Sequence, residues 1–295
     1  MENLNKLYKN KDKLLNRNLL IVDLNNLIHK SIHVYPNLYV NCKGTNIYTG
    51  GFYGFIRQLD SAIERFKIDD VIVCTDQPPY MRSMILKEYK MNRKPYHPEF
   101  KRKLTDTRNL IYEFANRANI TVWSKLGFEA DDLIYMTCSH YEGDYYKIII
   151  LSNDKDLYQV FELGGNIYLS IGGFPYGIAN FHNDYSISVL KWVWVSALSG
   201  GHNGIPGFDG IGEKKALKLA REIFLNLNIN ENLRRLEDVC NQIQYDKAKL
   251  YYSLAKLPFF FEGIRCNFPK PKIKQPTEES EKKANVLLKK LNFNI

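Results

Sequence analysis

Four short apolar runs mark the first half of the chain, and stretches with helical periodicity separate them. The runs lie at residues 19–22, 71–74, 121–123 and 148–151, and the helical patterns lie at about 54–66, 104–118 and 130–141. Short apolar runs that alternate with helices are typical of a mostly parallel sheet flanked by helices. This order predicts an α/β fold, and an active site is expected at the carboxyl ends of the strands.

The second half of the chain has a different pattern. After about residue 186 the strand signal fades and helical patterns dominate, broken by a glycine-rich stretch at 199–212. We therefore predict a flexible extension at 1–17, an α/β domain at 18–185, and a helical domain at 186–295 that includes the C-terminal helix. The first 18 residues contain no long apolar run, and no segment reaches the length of a membrane span. Neither a secretion signal nor a membrane anchor is expected.

Positive charge is concentrated in one segment. Lys and Arg outnumber Asp and Glu by 41 to 32, and eight of the basic residues lie between Arg82 and Lys103 beside only two acidic ones. Such a cluster is either a solvated surface or a site for nucleic-acid phosphates, and charge alone leaves both open. Three aromatic residues of the same segment, Tyr89, Tyr96 and Phe100, add surfaces on which unpaired bases could stack.

Carboxylates follow the predicted strands. Those at strand ends or helix starts are Asp23, Asp76, Glu129, Asp131, Asp132 and Asp154, with Asp156 close by. Each alone fits a helix cap or a turn, but together at one edge of a sheet they are costly to bury without a cation. Oxygen donors of this kind suit Mg²⁺ or Mn²⁺. Beside a basic segment, the cluster predicts metal-assisted hydrolysis of a phosphodiester, and no P-loop, GxSxG or HExxH motif offers another chemistry.

Five motifs, taken in order along the chain, resemble the flap endonucleases and 5′–3′ exonucleases. This family includes bacteriophage enzymes and the nuclease domain of bacterial DNA polymerase I. The motifs lie at 49–57, 88–93, 127–133, 152–160 and 204–216, and the last reads GIPGFDGIGEKKA. The resemblance implies a PIN-like nuclease core followed by a helical DNA-binding domain with a helix–turn–helix element.

The resemblance also implies roles for individual residues. The carboxylates from Asp23 to Asp154 would form a first metal site, with Asp156 close to it or reaching a second. Lys90 and Arg93 match the catalytic basic pair of the family, which steadies the scissile phosphate. The segment 82–103 is similar to the family's helical arch, through which a single-stranded 5′ end threads. The resemblance implies a K⁺ ion at the 207–212 loop. It implies DNA contacts for Arg82, Lys87, Tyr89, Lys94, Gly207, Gly210, Gly212, Lys214 and Lys215.

The sequence departs from the family at the second metal site. The family usually carries GDxSDNIPG, with two aspartates, where this chain reads SGGHNGIPG. Gly200 or Gly201 stands in place of the first aspartate, and Asn203 stands in place of the second. A neutral amide brings no charge to a cation, so the second site should be weak or lost. We expect Gly200→Asp with Asn203→Asp to lower the Mg²⁺ concentration that cleavage requires.

These observations predict a Mg²⁺- or Mn²⁺-dependent, structure-specific 5′ nuclease of DNA replication or repair. Its substrates would be 5′ flaps, nicked or branched duplexes and single-stranded 5′ ends, and the preference between exonuclease and flap cleavage stays open. Two alternatives also stay open: a branched-DNA-binding protein whose cleavage is lost or vestigial, and a nuclease directed at RNA. We expect a cytoplasmic monomer, in the host cytoplasm if a phage encodes it. No motif supports a separate polymerase partner.

Overall fold

A six-stranded sheet forms the centre of the protein. The computed structural model describes residues 16–42, 44–91, 95–200, 204–222, 231–232, 234–235, 244–259 and 269–293. The strand order is β5-β4-β1-β6-β7-β8, and only β8 is antiparallel to its neighbour. The strands are β1 (Asn18–Asp23), β4 (Asp70–Cys74), β5 (Thr121–Trp123), β6 (Lys147–Leu151), β7 (Ile167–Ile171) and β8 (Phe174–Tyr176). A separate hairpin pairs β2 (Tyr39–Cys42) with β3 (Thr45–Tyr48).

The central strands are buried on both faces, which explains their unbroken apolar runs. Leu19, Leu20, Ile21 and Val22 of β1 are completely buried. Leu20 and Val22 belong to one apolar core, while Leu19 and Ile21 belong to the core on the opposite face. All four strands predicted from the apolar runs are present and parallel, so the predicted α/β fold is confirmed.

Helices cover the first face of the sheet, where Leu20 and Val22 lie. Side chains of α1 (Leu24–Val34), α2 (Gly50–Phe66) and α4 (Pro98–Arg117) pack there. The C-terminal helix α10 (Glu278–Lys290) joins them, and the ring of Phe293 just beyond it stacks on Phe52 of α2 with centroids 5.6 Å apart. The sequence pattern predicts that this helix belongs to the second domain. The structure corrects that assignment, because α10 shares its apolar core with the first domain.

The second face is covered by the rest of the described helices. They are α5 (Ala130–Tyr141), α6 (Ile178–Tyr185), α7 (Trp192–Ser199), α8 (Glu213–Glu222) and α9 (Tyr245–Ala255), with 3₁₀ helices at Lys155–Glu162 and Val189–Lys191. Apolar residues of α7, α8 and α9 are continuous with the core under α5. The domain boundary near 186 stays a prediction. No helix among the described residues is long and apolar enough to cross a membrane.

The predicted arch segment is only partly described. The short helix α3 (Met81–Ile85) begins it and the first turn of α4 ends it, while residues 92–94 lie outside the described part of the chain. Helix α4 begins at Pro98, earlier than the periodicity indicated. Proline at the first helical position and the side chain of His97, which accepts from the backbone N–H of Glu99, fix this start.

Candidate active site

Three neighbouring strands bring three aspartates to one edge of the sheet. Asp23 is the last residue of β1, and Asp76 and Asp154 follow shortly after β4 and β6. Because β4, β1 and β6 are adjacent and parallel, their carboxyl ends meet. A cleft of about 1110 Å³ opens there, and the three aspartates line it together with Glu129 and Asp131 from the start of α5.

Asp23 is buried and held by hydrogen bonds. It caps α1 by accepting from the backbone N–H of Asn26 (3.1 Å), and the hydroxyl of Ser152 donates to its other oxygen (2.9 Å). Burial, and then the charges of Asp154 and Asp76, raise the pKa of Asp23 to about 7 against the effect of these hydrogen bonds. The side chain therefore holds its proton far more tightly than a solvated aspartate.

Asp131, Asp154 and Asp156 extend the acidic cluster along the same edge. Burial, followed by the charges of Asp154 and Asp23, raises the pKa of Asp131 well above its ordinary value. Asp154 caps the 3₁₀ helix by accepting from the backbone N–H of Asp156 (2.9 Å). Asp156 accepts from the hydroxyl of Ser196 on α7 (2.9 Å), and burial with the charge of Asp154 raises its pKa to about 7.

Asp132 lies behind the cleft rather than on its surface. It is 1% exposed, and its two oxygens accept from the guanidinium of Arg82 at 2.6 and 2.8 Å. The backbone N–H groups of Phe259 and Glu129 donate to the same carboxylate. With its oxygens engaged inside the protein, Asp132 is placed as a structural residue. This contradicts its assignment as a metal ligand.

Arg82 is equally buried. It is 4% exposed, and besides Asp132 its guanidinium binds Glu129 (2.9 Å) and the carbonyl of Leu254 (2.9 Å). Burial acts to lower the pKa of Arg82, but the charge and hydrogen bonds of Asp132 raise it above its ordinary value. The structure therefore contradicts the predicted DNA contact of Arg82, which instead neutralises two acids behind the site.

Lys90 reaches the cleft from the end of the same segment. Its ammonium group pairs with Glu129 and lies 4.4 Å from the centroid of the Tyr80 ring. Its backbone has a left-handed φ of 60°, and its N–H donates to the carbonyl of Gly204 (3.3 Å). The neighbouring Tyr89 is 5% exposed, and its hydroxyl donates to Glu129. Its ring is therefore not accessible to a DNA base, contrary to the prediction.

The other basic residues of this segment have different outcomes. Lys87 is exposed, as a DNA contact requires. Arg93 and Lys94 lie outside the described residues, so their predicted roles stay predictions. The glycine-rich element is described from Gly204 onward, and Gly201 and Asn203 lie outside the described part.

Two glycines of this element serve the fold. A Cβ added to Gly207 would come within 2.3 Å of the backbone nitrogen of Gly200, and a Cβ on Gly200 would lie 2.6 Å from the carbonyl oxygen of Pro206. Both residues have left-handed φ values. The backbone segments at Gly200 and Gly207 cross here. The absent side chain of Gly207 therefore makes room for the backbone at Gly200 and not for DNA. A side chain at Gly200 would meet this backbone, which argues against the expected gain from Gly200→Asp with Asn203→Asp.

The remaining part of the glycine-rich element faces outward. No atom of the described residues lies within 4 Å of a Cβ built on Gly210 or Gly212. Lys214 and Lys215, in the first turn of α8, are exposed. These four predicted DNA-contact residues therefore share an accessible surface at a helix start, where backbone N–H groups favour anions.

The chemistry of the acidic cluster suits a hard divalent cation. Asp23, Asp76, Asp131 and Asp154 offer only oxygen donors, and burial of like charges holds protons on two of them that a cation would displace. In the described part of the chain, no three His, Cys, Asp or Glu side chains already have the spacing of a bound ion. The donor set therefore fits a hard divalent ion by its oxygen chemistry.

Several residues that line the cleft were not predicted from the sequence. Asn25, Asn26 and His29 line the cleft from the first turns of α1, and Arg108 lines it from α4. The α1 residues could have been found, because they follow Asp23 on a helix that begins at the strand end. Arg108 lies 32 residues beyond Asp76 in the sequence, and no local pattern connects the two.

A family described as the 5′-3′ exonuclease, N-terminal resolvase-like domain, matches residues 18–179, more than half of the chain. The chain belongs to this 5′-3′ exonuclease family. Among curated relatives, DNA polymerase I of Caldicellulosiruptor bescii is 28% identical over 85% of this chain and 29% of its own length. A 5′-3′ exonuclease of Buchnera aphidicola is 28% identical over 78% of this chain and 85% of its own length.

A solved structure shares the fold. The flap endonuclease of bacteriophage T5, in a complex with DNA and metal ions, superposes with a TM-score of 0.65 at 18% identity, covering 94% of this chain and 100% of the phage chain. The family membership confirms the resemblance drawn from the five motifs. Because the chain spans about 29% of the length of the bacterial polymerase, the likeness to that polymerase concerns only its matching part.

Proposed function

We propose that the protein is a divalent-metal-dependent 5′ nuclease that hydrolyses DNA phosphodiesters at 5′ flaps, nicks and 5′ ends. The observation that carries this proposal is one cleft in which a lysine stands beside buried acids whose pKa values are raised. Family membership supports the same function. The T5 relative, whose complex contains DNA and metal ions, agrees with it.

Four aspartates that line the cleft would hold the ion: Asp23, Asp76, Asp131 and Asp154. Mg²⁺ or Mn²⁺ fits their oxygen-only chemistry, and Asp156, whose backbone N–H donates to Asp154, would add negative charge behind them. When bound, the ion supplies Lewis acidity at the scissile phosphate and lowers the pKa of the attacking water. Backbone atoms of Pro206 and Gly207 occupy the space beside Gly200, where the family carries an aspartate. A second ion would therefore have few fixed charges to hold it.

Lys90 would stabilise the charge that develops on the phosphate during cleavage. It is presently paired with Glu129, which also accepts from Arg82 and Tyr89. The charge of Glu129 is thus shared among three donors, and the pair places the ammonium group of Lys90 at the cleft. Arg93 is proposed as its partner in this role.

The duplex would lie against the outward surface of the glycine-rich element. Helices α7 and α8 flank this element, and we propose that they act as the family's helix–turn–helix. Gly210, Gly212, Lys214 and Lys215 would contact the phosphates, and a K⁺ ion could join the loop to one of them. Lys87 would contact the single strand. We propose a cytoplasmic monomer.

The decisive experiment is single-turnover cleavage of a labelled 5′-flap duplex across a titration of Mg²⁺ and Mn²⁺. Asp154→Ala should abolish cleavage. Lys90→Ala should slow the rate at least about a hundredfold while it changes DNA affinity by only a few fold, since its contact strengthens in the transition state. Lys147→Ala, at the opposite end of β6, is the matched control for charge.

Each outcome of this assay has a clear meaning. Equal losses of rate and affinity in Lys90→Ala would reduce Lys90 to a binding contact. Tight binding of the flap with no cleavage by the parent protein at any metal concentration would refute the nuclease and favour the branched-DNA-binding alternative. A 5′ strand of ribonucleotides that is cut much faster than DNA would favour the RNA-directed alternative.

A further inference from the structure

Arg108 lies in an acidic cleft, yet none of the described carboxylates forms an ion pair with it. It lines the cleft from α4, beside Asn25 of α1. Within the described residues, no Asp or Glu lies within ion-pair distance of its guanidinium, although four aspartates line the same cleft. Arg108 is only partly buried, and an arginine this close to several acids would ordinarily pair with one of them.

The guanidinium is held in place but is only partly satisfied. One terminal nitrogen donates to the side-chain oxygen of Asn25 (3.1 Å). The Nε atom of Arg108 is buried and has no hydrogen-bond partner in the part of the chain that the structure describes. The terminal nitrogens keep donors that no described residue takes, and a planar guanidinium held in this way can bind the oxygens of a phosphate. The group is therefore prepared for an anion.

The position of Arg108 separates it from the proposed site of cleavage. Arg108 and Asn25 come from α4 and α1, on the face of the sheet that holds Leu20 and Val22. Glu129, the partner of Lys90, begins α5 on the other face. The two basic side chains thus approach the acidic edge of the sheet from opposite sides. A strand whose scissile phosphate lies between the aspartates and Lys90 would bring a flanking phosphate toward Arg108.

We propose that Arg108, oriented by Asn25, forms a second phosphate subsite that takes a backbone phosphate next to the scissile one in the cleaved strand. This inference rests on the proposed nuclease function and adds a specific substrate contact to it. The ligand is a phosphodiester of a nucleic-acid strand. Recognition depends on its charge and geometry and not on the base.

The test measures binding of a 5′-flap duplex in Ca²⁺, without cleavage. A series of duplexes carries one neutral methylphosphonate at a time at each position around the scissile phosphate. Arg108→Gln should weaken binding about tenfold, the effect of one charge-assisted contact. It should also lower the slope of log affinity against log salt by about one. Arg117→Gln, on the exposed end of the same helix, is the matched control.

The methylphosphonate series identifies the contacted phosphate. At one flanking position the neutral group should weaken binding of the parent protein about tenfold yet add almost nothing to Arg108→Gln, because the same contact is already lost. Asn25→Ala should reduce the penalty at that same position. Arg108→Lys, which keeps the charge and loses the planar guanidinium, should recover only part of the affinity, and it serves if Arg108→Gln fails to fold.

Two results would overturn the subsite. In the first, Arg108→Gln resembles Arg117→Gln in affinity and salt slope. In the second, the penalties of Arg108→Gln and of every methylphosphonate simply add. Either result, in a parent protein that cuts the flap, refutes the subsite and leaves the nuclease standing. A parent protein that binds the flap with the expected positional effect but never cuts supports the subsite and refutes the nuclease.

Discussion

Replacement of Arg82 by methionine should destabilise the fold and leave the salt dependence of DNA binding unchanged. The guanidinium makes two hydrogen bonds to Asp132, one to Glu129 and one to the carbonyl of Leu254, all between 2.6 and 2.9 Å. It also lies over the ring of Phe259, 4.8 Å from the centroid. Methionine has a similar length but leaves both acids without this cation.

The size of the effect follows from the burial of the partners. Glu129 and Asp132 are 6% and 1% exposed, so an uncompensated charge at either position has little access to water. Removal of one partner from a buried ion pair costs about 3–5 kcal/mol of unfolding free energy. Arg117→Met removes an exposed pair with Glu113 on the helix surface and should cost less than about 1 kcal/mol.

Urea denaturation followed by tryptophan fluorescence measures these differences. Adding Asp132→Leu to Arg82→Met should recover a large part of the loss, because the unpaired acid is then removed as well. A result within about 1 kcal/mol of the parent protein, together with a salt slope of DNA binding reduced by about one, would refute the reasoning. That outcome would restore the sequence-based assignment of Arg82 as a DNA contact.

Two further predictions concern the loop and the acidic cluster. Gly204→Ala should slow cleavage much more than Gly44→Ala, although both glycines have a left-handed backbone (φ 83° and 82°). Among the described residues, a Cβ at Gly44 meets no atom, whereas a Cβ at Gly204 would lie 2.6–2.9 Å from the backbone and side chain of Lys90. Equal rates in the two variants, or a further loss when Gly204→Ala is combined with Lys90→Ala, would contradict this positioning of Lys90. Without divalent ions, the unfolding free energy should fall as pH rises from about 4 to about 7, because folded Asp23 and Asp156 (pKa about 7) retain protons that the unfolded chain releases. Melting temperatures in EDTA should therefore be lower at about pH 8 than at about pH 5.5, and Mg²⁺ should remove most of the difference; identical values in EDTA would contradict the raised pKa values.

The acidic edge of the sheet could be read from the sequence because it depends on local features. Each strand is a short apolar run; Asp23 follows one run directly, and Asp76 and Asp154 come shortly after two others. Parallel strands place their carboxyl ends together whatever the rest of the chain does. The fold class, the family and five carboxylates of the cleft were therefore accessible without a structure.

The functions of the basic residues were not accessible in the same way. Arg82 and Lys90 look alike as members of one basic segment, yet one is buried against Asp132, 50 residues away, while the other reaches the cleft. The motif around Gly207 shows a glycine but not the backbone of Gly200 that crosses it. The composition gives the number of basic side chains. Only their contacts in the folded protein decide which of these side chains can bind a ligand.

The sequence by itself determined the parallel sheet, the line of aspartates and the membership in the nuclease family, because periodicity and strand ends are properties of neighbouring residues. Only the tertiary structure decided that α10 returns to the first face of the sheet and that Arg82 serves the interior. It also decided that Arg108 enters the cleft. These outcomes depend on contacts between residues far apart in the chain, where packing and the cost of burying charge select one partner among many.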